Sequence, residues 1–136
     1  MEVAPGHTAS DAYLLLPDDR IVFMGDLGFL QCQPYMVYCD PRAWVAQLAQ
    51  MEQLDFEVFV PGHGPLGTRA DVALQREYIT LLEELVTQSI SDGLSVEETL
   101  QKTLPAPFDS WLHGSMGRWD GNVRSSYEHQ GGESES

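Results

Sequence analysis

The chain has 136 residues, enough for one domain with a real core and too few for two of ordinary size. Its 21 acidic and 7 basic residues give a formal net charge of −14, which repels nucleic-acid phosphates and anionic membrane surfaces and so disfavours binding to either. No run approaches the roughly 18 consecutive apolar residues of a membrane span, and the start Met1-Glu2-Val3-Ala4-Pro5 has no basic segment leading an apolar signal core, so the expectation is a soluble, cytoplasmic protein.

In chain order, Asp11 to Pro17, Asp18-Asp19 and Arg20 to Met24 read as strand, tight turn and strand, a hairpin whose second strand delivers Gly25-Asp26 at its end. Gly28 to Asp40 lacks a clear period and reads as a loop over the site, with the capacity to act as a lid. Cys32 and Cys39 fall in this stretch. Two thiols are too few for a disulfide framework, so both are expected to be reduced. Trp44, Val45, Leu48, Met51 and Leu54 then recur at helical spacing, with Asp40 as N-cap and Pro41 at the first helical position.

Phe56 to Val60 is a short strand rich in aromatic and β-branched residues, expected to stop at Pro61-Gly62 and to deliver His63. Thr68-Arg69-Ala70-Asp71 has capping-box form and opens a long amphipathic helix carrying Val72, Leu74, Tyr78, Leu81, Leu82, Leu85 and Val86, which should end near Gly93. Ser95-Val96-Glu97-Glu98 starts another helix. Pro105 and Pro107 break the pattern, Phe108 to Tyr127 supplies a last apolar segment, and residues 131–136 read as a disordered polar tail behind a single domain over 1–130.

Three polar islands stand out: Pro5-Gly6-His7-Thr8, Gly25-Asp26-Leu27 and Pro61-Gly62-His63-Gly64. Each follows a strand-like run, and each places a histidine or aspartate beside a glycine that lets a side chain approach an ion closely. Two imidazoles and a carboxylate are donors that suit zinc or non-haem iron. Singly, each island also reads as a turn or helix cap. His113 and His129 lie in unrelated contexts and read as surface or half-buried histidines.

In order, spacing and surrounding strands, the three islands resemble the carboxy-terminal motif series of the metallo-β-lactamase-fold superfamily of metal-dependent hydrolases, from about Val3 to Leu66 and more weakly to Val123. The resemblance implies an α/β fold, half of a four-layered αβ/βα sandwich, with a mixed or antiparallel sheet covered by helices. It implies metal ligation by His7, Asp26 and His63, with Asp26 bridging two ions and each histidine serving one; the metal would be zinc, one or two ions, or else iron or manganese. The family's leading motif, His-x-His-x-Asp-His, is absent from these 136 residues.

Two functional classes follow from the resemblance. One is a metal-dependent hydrolase, or a fragment of one, directing an activated water at an ester, thioester, lactam or related bond of a small-molecule substrate, with the amino-terminal half supplied elsewhere. The other is a half-domain that dimerises or binds a partner and keeps a vestigial site. A mononuclear iron dioxygenase on the same fold is a further alternative.

Overall fold

The computed structural model describes residues 2–4, 11–37, 39–112 and 116–131. Four strands, β1 (Glu2–Ala4), β2 (Asp11–Leu16), β3 (Ile21–Phe29) and β4 (Val58–His63), form one sheet in the order β1-β2-β3-β4. β2 pairs antiparallel with both β1 and β3, whereas β3 and β4 are parallel, joined through helix α1 (Pro41–Glu52). A parallel pair needs such a crossover, so the expected hairpin and the helix that follows it account for the mixed sheet.

Two strands are longer than their residue patterns indicate. β3 does not stop at Met24 but continues through Gly25, Asp26 and Leu27 to Phe29, so Asp26 lies within a strand and the loop begins at Leu30 rather than Gly28. Gly25 makes this possible. Its φ of 55° absorbs an irregularity in the ladder, where pairing with β4 slips between Phe23 and Gly25 and again between Gly25 and Phe29. β4 likewise runs past Pro61-Gly62 to include His63. It is the last strand in the sheet order, where a proline's missing N–H is tolerated.

Alternation on β3 and β4 divides the sheet into two faces. Val22, Met24 and Phe59 point into a core shared with Trp44, Leu48 and Met51 of α1 and Val72, Ile79, Leu82 and Val86 of α2 (Arg69–Ser91). Each such side chain contributes about 1.5–3 kcal/mol on burial. On the other face Leu14 and Phe23, directly opposite each other on β2 and β3, are 45% and 40% exposed.

The helix ends follow the capping chemistry. The Asp40 carboxylate accepts from Ala43 N at 3.1 Å, and the Asp71 carboxylate accepts from Thr68 N at 3.0 Å. The short helix α3 (Val96–Leu100) has a reciprocal Ser95–Glu98 box, which holds the Glu98 carboxyl below its ordinary value. α2 closes at Asp92 with Gly93 at φ 74°. A 3-10 turn (Phe108–Leu112) and α4 (Met116–His129) complete the described chain. Cys32 and Cys39 are unpaired thiols. Among the described residues no helix is long and apolar enough to cross a membrane.

Segment 30–37 is fastened rather than hinged. Gln33 is fully buried; its side chain accepts from Tyr78 Oη at 2.7 Å and donates to Trp111 O at 3.3 Å, while Arg118 donates to its backbone carbonyl at 2.9 Å. Asn122 of α4 donates to Pro34 O and accepts from Met36 N, both at 2.7 Å. Opening this segment would strand several buried polar groups, at about 1–3 kcal/mol each, so it is a fixed wall and not the lid its aperiodic sequence suggests.

Candidate metal centre

The parallel register brings two of the three expected ligands together. Phe29 on β3 is level with His63 on β4, and the bulged segment just before Phe29 carries Asp26. His63 Nε2 stands 3.6 Å from Asp26 Oδ1, with the two side chains 48% and 60% exposed, so both donors face accessible space. His7 lies outside the described residues, as do His113 and most of the 131–136 tail. Among the described residues no group of three His, Cys, Asp or Glu side chains converges. His129 lies apart, at the end of α4 beside Glu83.

The separation of the pair bears on what it can hold. At 3.6 Å it is longer than a hydrogen bond. It is close to the donor–donor edge of about 3.4 Å that metal–ligand bonds of 2.0–2.2 Å give in a tetrahedral zinc site. One imidazole and one carboxylate at that spacing fit a single cation between them. The bridging and single-ion roles expected of Asp26 and His63 are compatible with this, since both would contact the same ion.

Glycine sets the approach. A Cβ at Gly62 would fall 2.6 Å from Gly25 O and 3.0 Å from Asp26 Oδ1. Only a residue without a side chain lets β4 pass this close to the carboxylate. Gly64, at φ 96°, turns the chain away immediately after the histidine, where a Cβ would meet Leu30 O at 2.0 Å. The His63 carbonyl accepts from Leu30 N at 3.0 Å, which ties the end of β4 to the first residue after β3.

The imidazole is also held by its flank. The ring of Phe29 stacks on His63 with centroids 4.4 Å apart and planes 6° from parallel, and the Arg118 guanidinium sits 5.6 Å from the Phe29 centroid. Two positioning groups escaped the sequence reading. The Trp44 indole donates to Leu27 O at 3.0 Å, although Trp44 reads as simple core. Gln75, wholly buried on α2, donates to the same carbonyl and accepts from Phe29 N, both at 2.8 Å. The available signal was a polar residue on the stripe Val72, Gln75, Tyr78, Ile79 and Leu82, where the helical period calls for an apolar one.

The metallo-beta-lactamase superfamily model matches residues 1–63, which end on the second of these two donors. Over that stretch the chain resembles the metallo-beta-lactamase superfamily, and its fold is that of metallo-beta-lactamase-fold proteins. The metallo-beta-lactamase from Pontibacter korlensis is 28% identical, with a TM-score of 0.53 over 58% of this chain and 40% of its own. The linear primary-alkylsulfatase of Pseudomonas sp. (strain ATCC 19151) is 25% identical over 91% of this chain, which spans 26% of that enzyme. The stereoselective inverting sec-alkylsulfatase from Pseudomonas sp. shares the fold over 96% of this chain and 24% of its own, with a TM-score of 0.75 at 20% identity. The chain thus spans about a quarter of the length of the alkylsulfatases it resembles.

Proposed function

We propose that this polypeptide contributes part of the metal centre of a superfamily hydrolase, with Asp26 and His63 holding one zinc ion and His7 adding a ligand to the same centre. The observation that carries this reading is the 3.6 Å approach of the Asp26 carboxylate and the His63 imidazole, both half-exposed, across a glycine that leaves room for nothing else. When bound, the metal supplies Lewis acidity and an activated water. Asp26 brings negative charge to the cation, His63 brings a neutral nitrogen donor, and the Phe29 stack fixes the plane of the imidazole.

The remaining ligands come from residues outside this sequence. The half-exposed Leu14 and Phe23 side chains support that reading, because an apolar sheet face suits a second layer packed against it. For the substrate, a sulfate ester is favoured over a lactam. Similarity to the alkylsulfatases extends across 91–96% of this chain, α2 to α4 included, whereas similarity to the Pontibacter enzyme covers 58%.

The test is a polypeptide that adds the coding sequence flanking these residues, assayed with zinc on alkyl sulfates, lactams and thioesters. Expected are a His-x-His-x-Asp-His motif upstream, sulfate release, and its loss in Asp26→Asn. Absence of that motif together with no hydrolysis of any of the three classes would overturn the proposal.

The same exposed face favours one second reading, a half-domain that pairs through its sheet with a copy of itself. A stable dimer of the 136-residue chain, dissociated by Phe23→Lys, is its expected signature; a monodisperse monomer excludes it.

A further inference from the structure

Between Gly25 and Phe29 the strand that carries Asp26 is out of step with β4, and regular pairing returns only at Phe29↔His63. A strand whose ladder is interrupted needs other partners for its backbone groups. Here a side-chain amide takes that place. Gln75 Oε1 accepts from Phe29 N and Gln75 Nε2 donates to Leu27 O, each at 2.8 Å, so one buried amide closes on two backbone groups of β3 as a neighbouring strand would. The Trp44 indole donates to the same Leu27 carbonyl at 3.0 Å.

These contacts reach both members of the candidate site. Leu27 directly follows Asp26, so holding its carbonyl fixes the Leu27–Gly28 peptide and restrains the backbone one residue beyond the carboxylate. Phe29 carries the ring that stacks on His63 at 4.4 Å, so holding its N–H fixes the surface against which the imidazole lies. We propose that Gln75, seconded by Trp44, is the positioning residue of the Asp26–His63 pair and sets its metal affinity from behind the sheet. Gln75 touches neither donor and acts only through the β3 backbone. The proposal rests on Asp26 and His63 being ligands.

Gln75→Leu keeps approximate volume and removes both hydrogen bonds. The comparison variant is Val86→Ala, also buried on α2 and about 16 Å further along it at 1.5 Å per residue. For wild type and both variants, zinc affinity is measured by competition with a chromophoric chelator, melting temperature by circular dichroism, and exchange of the Phe29 amide by NMR.

Expected is a loss of about tenfold or more in zinc affinity for Gln75→Leu, the size typical of groups that orient a ligand, while Val86→Ala stays near wild type even where its melting temperature falls as far. Equal losses in the two variants, or wild-type affinity in Gln75→Leu, overturn the proposal. If Gln75→Leu does not fold, Trp44→Phe removes the indole N–H together with the volume of one ring, and the same expectation, judged against Val86→Ala at a comparable fall in melting temperature, applies with a smaller loss. If wild-type protein binds no zinc, the functional reading fails by itself. The clamp is then judged on the Phe29 amide, whose exchange in Gln75→Leu must accelerate beyond the change in global stability; unchanged protection overturns it.

Discussion

Gly62→Ala probes how closely β3 and β4 approach at the site. The added methyl would lie 2.6 Å from Gly25 O, 2.9 Å from Gly25 C and 3.0 Å from Asp26 Oδ1. An unstrained carbon–oxygen contact is about 3.3 Å or more, so the two strands must separate by roughly 0.7 Å. Both obstructing atoms at Gly25 are backbone and cannot rotate away. Overpacking of this kind costs about 1–3 kcal/mol, which in a chain of this size lowers the melting temperature by about 3–5 °C per kcal/mol. The shift also moves the Asp26 carboxylate relative to His63, so zinc affinity should fall together with stability. Gly93→Ala is the control. Gly93 has φ 74° with no atom within 4 Å of its would-be Cβ, so alanine there adds backbone strain of about 1 kcal/mol and nothing at the site. Thermal melts and chelator competition on the two variants measure both effects. A Gly62→Ala protein with wild-type stability and zinc affinity would refute the close approach of the strands.

Two further outcomes depend on buried ionisable groups. Burial raises the Glu83 carboxyl, and the Ser126 hydroxyl, His129 and Gln130 offset this only in part. The folded state therefore holds this proton more tightly than the unfolded one, and the associated stability is lost as pH rises through a window that opens near the ordinary value of 4.5. Glu83→Gln should be more stable than wild type at pH 7, with the advantage shrinking toward pH 4 in denaturant titrations; an advantage independent of pH would contradict this. Cys39 is pushed up to about 12, first by burial and then by the Glu83 and Asp40 carboxylates, and burial raises Cys32 as well. Both thiols should label slowly at pH 8 in the folded protein, Cys39 the slower. Rapid labelling of Cys39 without unfolding would refute the burial that causes this.

Local rules made most of the elements legible. Asp40-Pro41, Thr68 to Asp71 and Ser95 to Glu98 announce helix starts because their side chains complete backbone hydrogen bonds within three residues. The strand limits were less legible because they are set at long range. Gly25-Asp26 and Pro61-Gly62 look like terminators, yet parallel pairing between β3 and β4 carries both strands through them, and no local propensity records that pairing. The same limit applied to the site. Asp26 and His63 stood out beside their glycines, and the fold brings them together. Gln75 did not stand out, since its partners Leu27 and Phe29 are 48 and 46 residues away in sequence. The 30–37 segment reads as a lid because its ties to Tyr78, Trp111, Arg118 and Asn122 come from elements that follow it.

Whether Asp26 and His63 share an ion decides what this site does. Zinc affinity of the purified chain, compared with Asp26→Asn and His63→Ala at matched protein concentration, tests this most directly. Loss of zinc in both variants, with little change in melting temperature because both side chains are half-exposed, is the predicted result. Zinc retained at wild-type affinity in either variant would contradict the account.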